Sequence, residues 1–122
     1  KGWGLAEHAE SVLSKLQEER FLNPARFASA FARDKVKFNK WGKVKIRYQL
    51  RQHRIDEAIL ETALGSIDPD EYFSMIEEEL DKKNKSLTVK NPFQRKAKLY
   101  AFGNQRGYES EYLNHYFESR GL

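Results

Sequence analysis

Apolar residues recur along this chain at intervals of three and four, in stretches separated by three prolines. Leu5, Ala9, Val12, Leu13 and Leu16 form one face of a predicted first helix, and Phe27, Ala28, Phe31 and Ala32 form one of a second. Ala58, Ile59, Thr62 and Ala63 begin another, with Gly65 placed to end it. Tyr72, Phe73, Ile76 and Leu80 stripe a further helix, and Tyr112, Leu113, Tyr116 and Phe117 the last. Aromatic stripes at this spacing are read first as core.

The prolines sharpen these boundaries. Each follows an Asn or Asp: Asn23-Pro24, Asp68-Pro69 and Asn91-Pro92. An Asn or Asp side chain accepts from the first free N–H groups of a helix, and proline fits the first helical position because it has no bond to lose there. Asp68 and Asn91 are also followed three residues on by Glu71 and Gln94, close to a capping box. Helices are therefore predicted to start near residues 24, 69 and 92.

One segment is ambiguous by period alone. Val44, Ile46, Tyr48 and Leu50 alternate with Lys43, Lys45, Arg47 and Gln49, which is the pattern of a half-buried strand. A weak internal repeat bears on it. A shift of 53 residues pairs Lys43 with Lys96, Lys45 with Lys98, Ile46 with Leu99, Ile55 with Tyr108 and Leu60 with Leu113. Gly4-Leu5 likewise resembles Gly107-Tyr108. The expected organisation is a partial first helical unit over 1–40, a second three-helix unit over 41–90 and a third unit of two helices over 91–122. The stretch Lys82–Val89 reads as the linker before the third.

Charge changes the picture, because it is segregated. Arg26 to Arg54 holds ten Lys/Arg against the single acid Asp34; Asp56 to Asp81 holds ten acids and no base; Lys82 to Lys98 holds seven bases and no acid. The formal net charge of +4 hides this order. Blocks of one sign raise local potentials that steer a charged partner.

The central basic block carries a resemblance. The runs Phe21-Leu22-Asn23-Pro24-Ala25-Arg26-Phe27-Ala28, Phe31-Ala32-Arg33-Asp34-Lys35 and Phe38-Asn39-Lys40-Trp41-Gly42, followed by Ile46 and Leu50, resemble the RecX regulatory protein family. Lys98-Leu99-Tyr100-Ala101-Phe102 and Arg106-Gly107-Tyr108 resemble that family's last repeat. The match touches most of the chain from Trp3 onward; it is specific over Arg26–Leu50 and weak in the acidic middle. Arg54 stands where the family usually has Gly, and Gly103 where Leu is common.

The resemblance implies an all-α fold of tandem three-helix repeats in an elongated, curved array, with a helix rather than a strand over Val44–Leu50. It also implies a protein that binds the recombinase RecA on DNA and damps its activity. Arg33, Lys35, Lys37, Lys40, Lys43, Lys45, Arg47 and Arg51 are the expected contact set, with Lys96 and Lys98 as the equivalent positions of the third unit. Lys43, Lys45 and Arg47 are expected to be exposed, and Trp41 and Gly42 to build the junction between units. The second reading is a helical domain that binds nucleic acid without sequence preference, in keeping with a pI near 9.3. Against it, the acidic block repels a phosphate backbone unless it faces away.

Other chemistry finds little support. His8, His53 and His115 are far apart and Cys is absent, so neither a zinc site nor a disulfide framework is indicated. Neither GxGxxG nor a P-loop occurs. Glu77, Glu78 and Glu79 are consecutive, so on a helix they point in different directions. No cofactor and no enzymatic activity are expected. With 39% hydrophobic and 33% charged residues the core is thin, and a mean hydropathy of −0.82 fits a surface-rich shape. No apolar run approaches the roughly 20 residues that span a bilayer. A monomeric, cytoplasmic protein is the expectation. The chain opens on Lys1 rather than Met, which reads as part of a longer protein.

Overall fold

The computed structural model describes residue 18 and residues 20–122, so the helix expected from Leu5 to Leu16 lies outside the described residues. Six α-helices follow: α1 (Pro24–Asp34), α2 (Lys43–Gln52), α3 (Glu57–Gly65), α4 (Pro69–Ser86), α5 (Pro92–Arg106) and α6 (Ser110–Ser119). A π-helical turn, Lys35–Asn39, extends α1. No strand occurs among the described residues.

The three Asn/Asp-Pro pairs start helices as expected. Asn23 accepts from Arg26 N–H, Asp68 from Asp70 N–H, and Asn91 from both Phe93 and Gln94 N–H. Asp56 caps α3 in the same way through Ala58 N–H. Gly65 is the last residue of α3, although its backbone is not left-handed. Val44–Leu50 is helical. Ile46 and Leu50, four apart, are fully buried, while Val44 and Tyr48 remain 49% and 59% exposed. One apolar stripe out of the two that alternation offers was enough to hold the helix.

The packing groups α1 with α2 and α3, and α4 with α5 and α6. Ala28 and Ala32, fully buried on one face of α1, let α3 approach closely. This grouping differs from the expected division at 41–90 and 91–122, which separates α1 and α4 from the helices they pack on. Asn23-Pro24 and Asp68-Pro69, not Trp41 and Asn91, open the packed units. The expected linker Lys82–Val89 is also shorter than read, because α4 runs through Ser86. Arg95 holds the remaining connection: its guanidinium donates to the Asn84 carbonyl and side chain at 2.8 and 2.6 Å and to the Leu87 and Val89 carbonyls at 3.4 and 2.7 Å. The last turn of α4 and the chain after it are thereby satisfied by one side chain.

The two units repeat. Residues 53 apart occupy the same places: Ile46 and Leu99, Ile55 and Tyr108, and Leu60 and Leu113 are all buried. Gly103 takes the place of Leu50, and its missing side chain leaves room for Leu113, whose methyl would lie 2.3 Å from an added Cβ. Arg54 and Gly107 are likewise equivalent, and both adopt a left-handed backbone, at φ 60° and 89°.

The units join end to end. The first N–H groups of α2 meet the last carbonyls of α5: Gly42 N–H donates to Arg106 O at 2.7 Å and Val44 N–H to Gly107 O at 3.0 Å. Lys43 N–H donates to the Tyr72 hydroxyl at 2.8 Å, and that hydroxyl donates to Glu109. Tyr108 donates to Lys40 O at 2.8 Å. The orphan donors of one helix and the orphan acceptors of another thus satisfy each other, with opposite ends of the two dipoles in contact. Gly42 makes the approach possible, since a Cβ there would sit 2.1 Å from Gly107 O.

Candidate functional site

The basic block of α1, the π turn and α2 forms a surface in which lysines lie on aromatic rings. The Nζ atoms of Lys35 and Lys45 stand 4.8 and 4.6 Å from the Trp41 ring centre. Lys35 is also 5.3 Å from Phe31, Lys37 is 5.4 Å from Phe38, and Lys43 is 4.9 Å from Tyr72. A cation over a ring face is attracted by the ring quadrupole while its outer N–H groups stay available. The π turn explains the geometry locally. Lys35 O accepts from the N–H groups of both Lys40 and Trp41, and Lys40 turns left-handed at φ 59°. The chain therefore doubles back, bringing Trp41 under Lys35 and leaving Phe38 69% exposed.

The expected contact residues do not all remain free. Arg47 makes a two-point ion pair with Glu61, at 2.9 and 3.1 Å, and Arg51 makes one with Glu57, at 3.0 and 2.9 Å. The hydrogen bonds from these guanidinium groups hold the Glu61 and Glu57 carboxyls below the usual carboxylate range. Lys45 reaches the Gln105 carbonyl at 3.4 Å, so it serves the junction as well as the Trp41 ring. Lys43, Lys45 and Arg47 are half-buried rather than exposed, which corrects the expectation for them. Arg33 donates from Nε to Ser29 O at 3.3 Å. Lys96 lies 5.2 Å from the Phe117 ring and Lys98 is exposed, and nothing joins either to the Trp41 cluster among the described residues.

The acidic block is largely absorbed by the fold. Glu57 and Glu61 neutralise α2, and Asp56 and Asp68 cap helices. Glu79, buried, lies 3.0 Å from Arg106 and 3.4 Å from Lys82. Asp81 accepts from Arg120 at 3.0 and 3.2 Å and from the Tyr116 hydroxyl at 2.7 Å. Burial and that hydrogen bond push the Tyr116 phenol up to about 12. Asp70, Glu71 and Glu78 stay exposed with no ion pair among the described residues.

Sequence reasoning missed the exposed aromatics. The aromatic stripes it assigned to the core are buried or half-buried, but it singled out no exposed ring, whereas Phe38, Tyr48 and Phe93 face solvent, Phe93 at 85% exposure. Spacing alone does not distinguish them. For Tyr48 the usable signal is that Ile46 and Leu50 already supply the one buried stripe of α2. No group of three or more His, Cys, Asp or Glu is placed to hold a metal among the described residues. No helix among them is long and apolar enough to cross a membrane.

Stacked three-helix units define a helical-repeat protein, here with a surface of lysines on aromatic rings. The chain belongs to the RecX family. The profile of the second three-helix domain of RecX matches residues 24–64, and that of the third three-helix domain matches residues 70–115. These spans coincide with the α1–α3 and α4–α6 groupings. Over 91 residues, 75% of the chain, it is 32% identical to the regulatory protein RecX of Clostridium tetani, of which that span is 40%. Over 115 residues, 94% of the chain, it is 27% identical to the regulatory protein RecX of Vibrio parahaemolyticus, of which that span is 72%. No solved structure matches the chain.

Proposed function

We propose that this chain binds the RecA recombinase filament on DNA, inhibits its ATP hydrolysis and strand exchange, and so modulates recombination and DNA repair, acting as a monomer in the cytoplasm. Family membership is the observation that carries the reading. The charge arrangement supports a filament over naked DNA. With Arg47 and Arg51 tied to Glu61 and Glu57, the basic surface is reduced to Arg33 and the lysines at 35, 37, 40, 43 and 45, which leaves fewer cations to neutralise phosphate. Such a surface suits a partner that adds protein contacts to those with phosphate. The end-to-end junction holds both units in one orientation, as binding along a groove requires. Lys96 and Lys98 extend the contact onto the third unit.

A weaker, direct contact with nucleic acid is favoured by one specific feature. Exposed aromatics such as Phe38, which lies under Lys37, and Tyr48 are side chains of the kind on which single-stranded bases stack. The deciding experiment follows ATP hydrolysis by RecA on single-stranded DNA with increasing amounts of the protein, alongside its binding to the same DNA without RecA. The expected result is a fall in hydrolysis, with binding to naked DNA weak and weakening further with salt. Unchanged hydrolysis at several-fold molar excess of folded protein refutes the regulator reading.

A further inference from the structure

A cleft of about 490 Å³ opens between the π turn and the start of α4, within the size range of ligand-binding clefts, roughly 300–1,000 Å³. Its lining has three parts. Val36, Ile67 and Met75 supply apolar surface. Arg33, Lys37 and Lys40, from α1 and the π turn, supply cations. Asp68 and Glu71, from the start of α4, supply carboxylates on the other side.

None of the ion pairs among the described residues joins these cations to these carboxylates. The molecule closes such pairs elsewhere, at Arg47–Glu61 and Arg51–Glu57. Around this cleft no such pair forms, so cations and carboxylates both line it unpaired beside apolar surface. A ligand that carries both signs pairs with both at once.

We infer that this cleft is the docking site for a mixed-charge segment of a protein partner, one that presents a carboxylate, an apolar side chain and a basic side chain together. The carboxylate meets Lys37, Lys40 and Arg33, the apolar side chain covers Val36, Ile67 and Met75, and the basic group meets Glu71 and Asp68. A phosphate backbone fits poorly, because it satisfies one wall and is repelled by the other. Exposed Phe38, on the same turn as Lys37, adds an aromatic anchor of the kind that dominates protein interfaces. The π turn is what aims the cationic wall, in keeping with the association of such turns with functional sites. The inference rests on the filament reading above and assigns this cleft to the protein component of the filament rather than to its DNA.

Glu71 provides the test, because the two possible occupants respond to it with opposite sign. Binding of the full chain to RecA filaments assembled on immobilised single-stranded DNA is measured for the wild type, Lys37→Glu, Glu71→Lys and Glu71→Gln. Glu78→Lys, the same change of charge on another part of α4, is the control. Lys37→Glu and Glu71→Lys are expected to weaken filament binding by about tenfold each, and Glu71→Gln by less, with Glu78→Lys near wild type. Glu71→Lys that binds as tightly as wild type, or more tightly, overturns the inference, since an added cation helps only if phosphate lies there. Glu71→Gln keeps the test open should the reversal disturb the start of α4. Absence of filament binding by both the wild type and the Glu78→Lys control removes the filament reading itself and this inference with it, a pattern distinct from failure of the cleft variants alone.

Discussion

Gly42→Ala is the sharpest test of the junction between units. The added Cβ would lie 2.1 Å from Gly107 O, 2.3 Å from Gly107 C and 2.5 Å from Tyr108 N, all backbone atoms that cannot rotate away. The two helix ends must separate by about 1 Å, which strains or breaks the Gly42–Arg106 and Val44–Gly107 hydrogen bonds. Losing two such bonds costs about 1 kcal/mol each. Overpacking adds about 1–3 kcal/mol. The φ and ψ of Gly42, −85° and 167°, suit alanine. The lower entropy of the unfolded alanine chain therefore returns about 0.4–1 kcal/mol.

The net loss is about 2–5 kcal/mol. With an unfolding entropy of roughly 2.1 cal/mol/K per residue, this lowers Tm by about 8–18 °C. Gly65→Ala is the control, because nothing lies within 4 Å of its Cβ position. It ends α3 without a left-handed backbone, so alanine there is expected to leave Tm unchanged or raise it slightly. Thermal melts followed by far-UV circular dichroism read both variants. A Gly42→Ala protein that melts within a couple of degrees of the wild type would show that the helix-end contact does not hold the units together.

Three further outcomes are expected. Arg54→Gly should stabilise the protein by about 0.5–1 kcal/mol in a denaturant titration, because a left-handed backbone costs a non-glycine residue about 1–2 kcal/mol, partly offset by the entropy of glycine; an unchanged or lower midpoint counts against the strain. Arg95→Ala should remove the guanidinium from the carbonyls of Asn84, Leu87 and Val89, of which Asn84 keeps only the Leu87 N–H at 3.3 Å, and speed amide hydrogen exchange across residues 84–91, with little change in α1–α3; uniform protection throughout would refute its role as a staple. Acid should destabilise the fold. Arg51, Arg47 and Arg120 hold Glu57, Glu61 and Asp81 below their ordinary values of 4.5, 4.5 and 3.8. Carboxyls depressed in the folded state stabilise fully above the unfolded values, and that contribution disappears as pH falls below them through the folded ones. Denaturation midpoints should therefore hold steady above about pH 5 and fall below about pH 4, and a flat profile there would refute it.

Much of the architecture was legible in the sequence because it is local. A cap acts over two or three residues, so Asn23, Asp68 and Asn91, each before proline, mark helix starts without knowledge of anything distant. The repeat register was legible too, since equivalent positions must be buried in every unit, and residues 53 apart kept that property. The all-α class followed from the resemblance, whereas Val44–Leu50 read alone favoured a strand. Only tertiary packing decided that segment, by burying Ile46 and Leu50 and leaving Val44 and Tyr48 to solvent.

The fate of the charges was not legible at all. As blocks in the sequence they look like opposed outer poles. In the fold, Arg47 finds Glu61 fourteen residues away and Arg120 finds Asp81 thirty-nine residues away, so much of the acidic block becomes internal counter-charge. Coulomb pairing at 3 Å depends on which helices lie side by side, and composition does not encode that. The same holds for the open cleft. Lys37 and Glu71 line one space because the π turn and the start of α4 flank it, a proximity that their separation of 34 residues in the sequence does not announce.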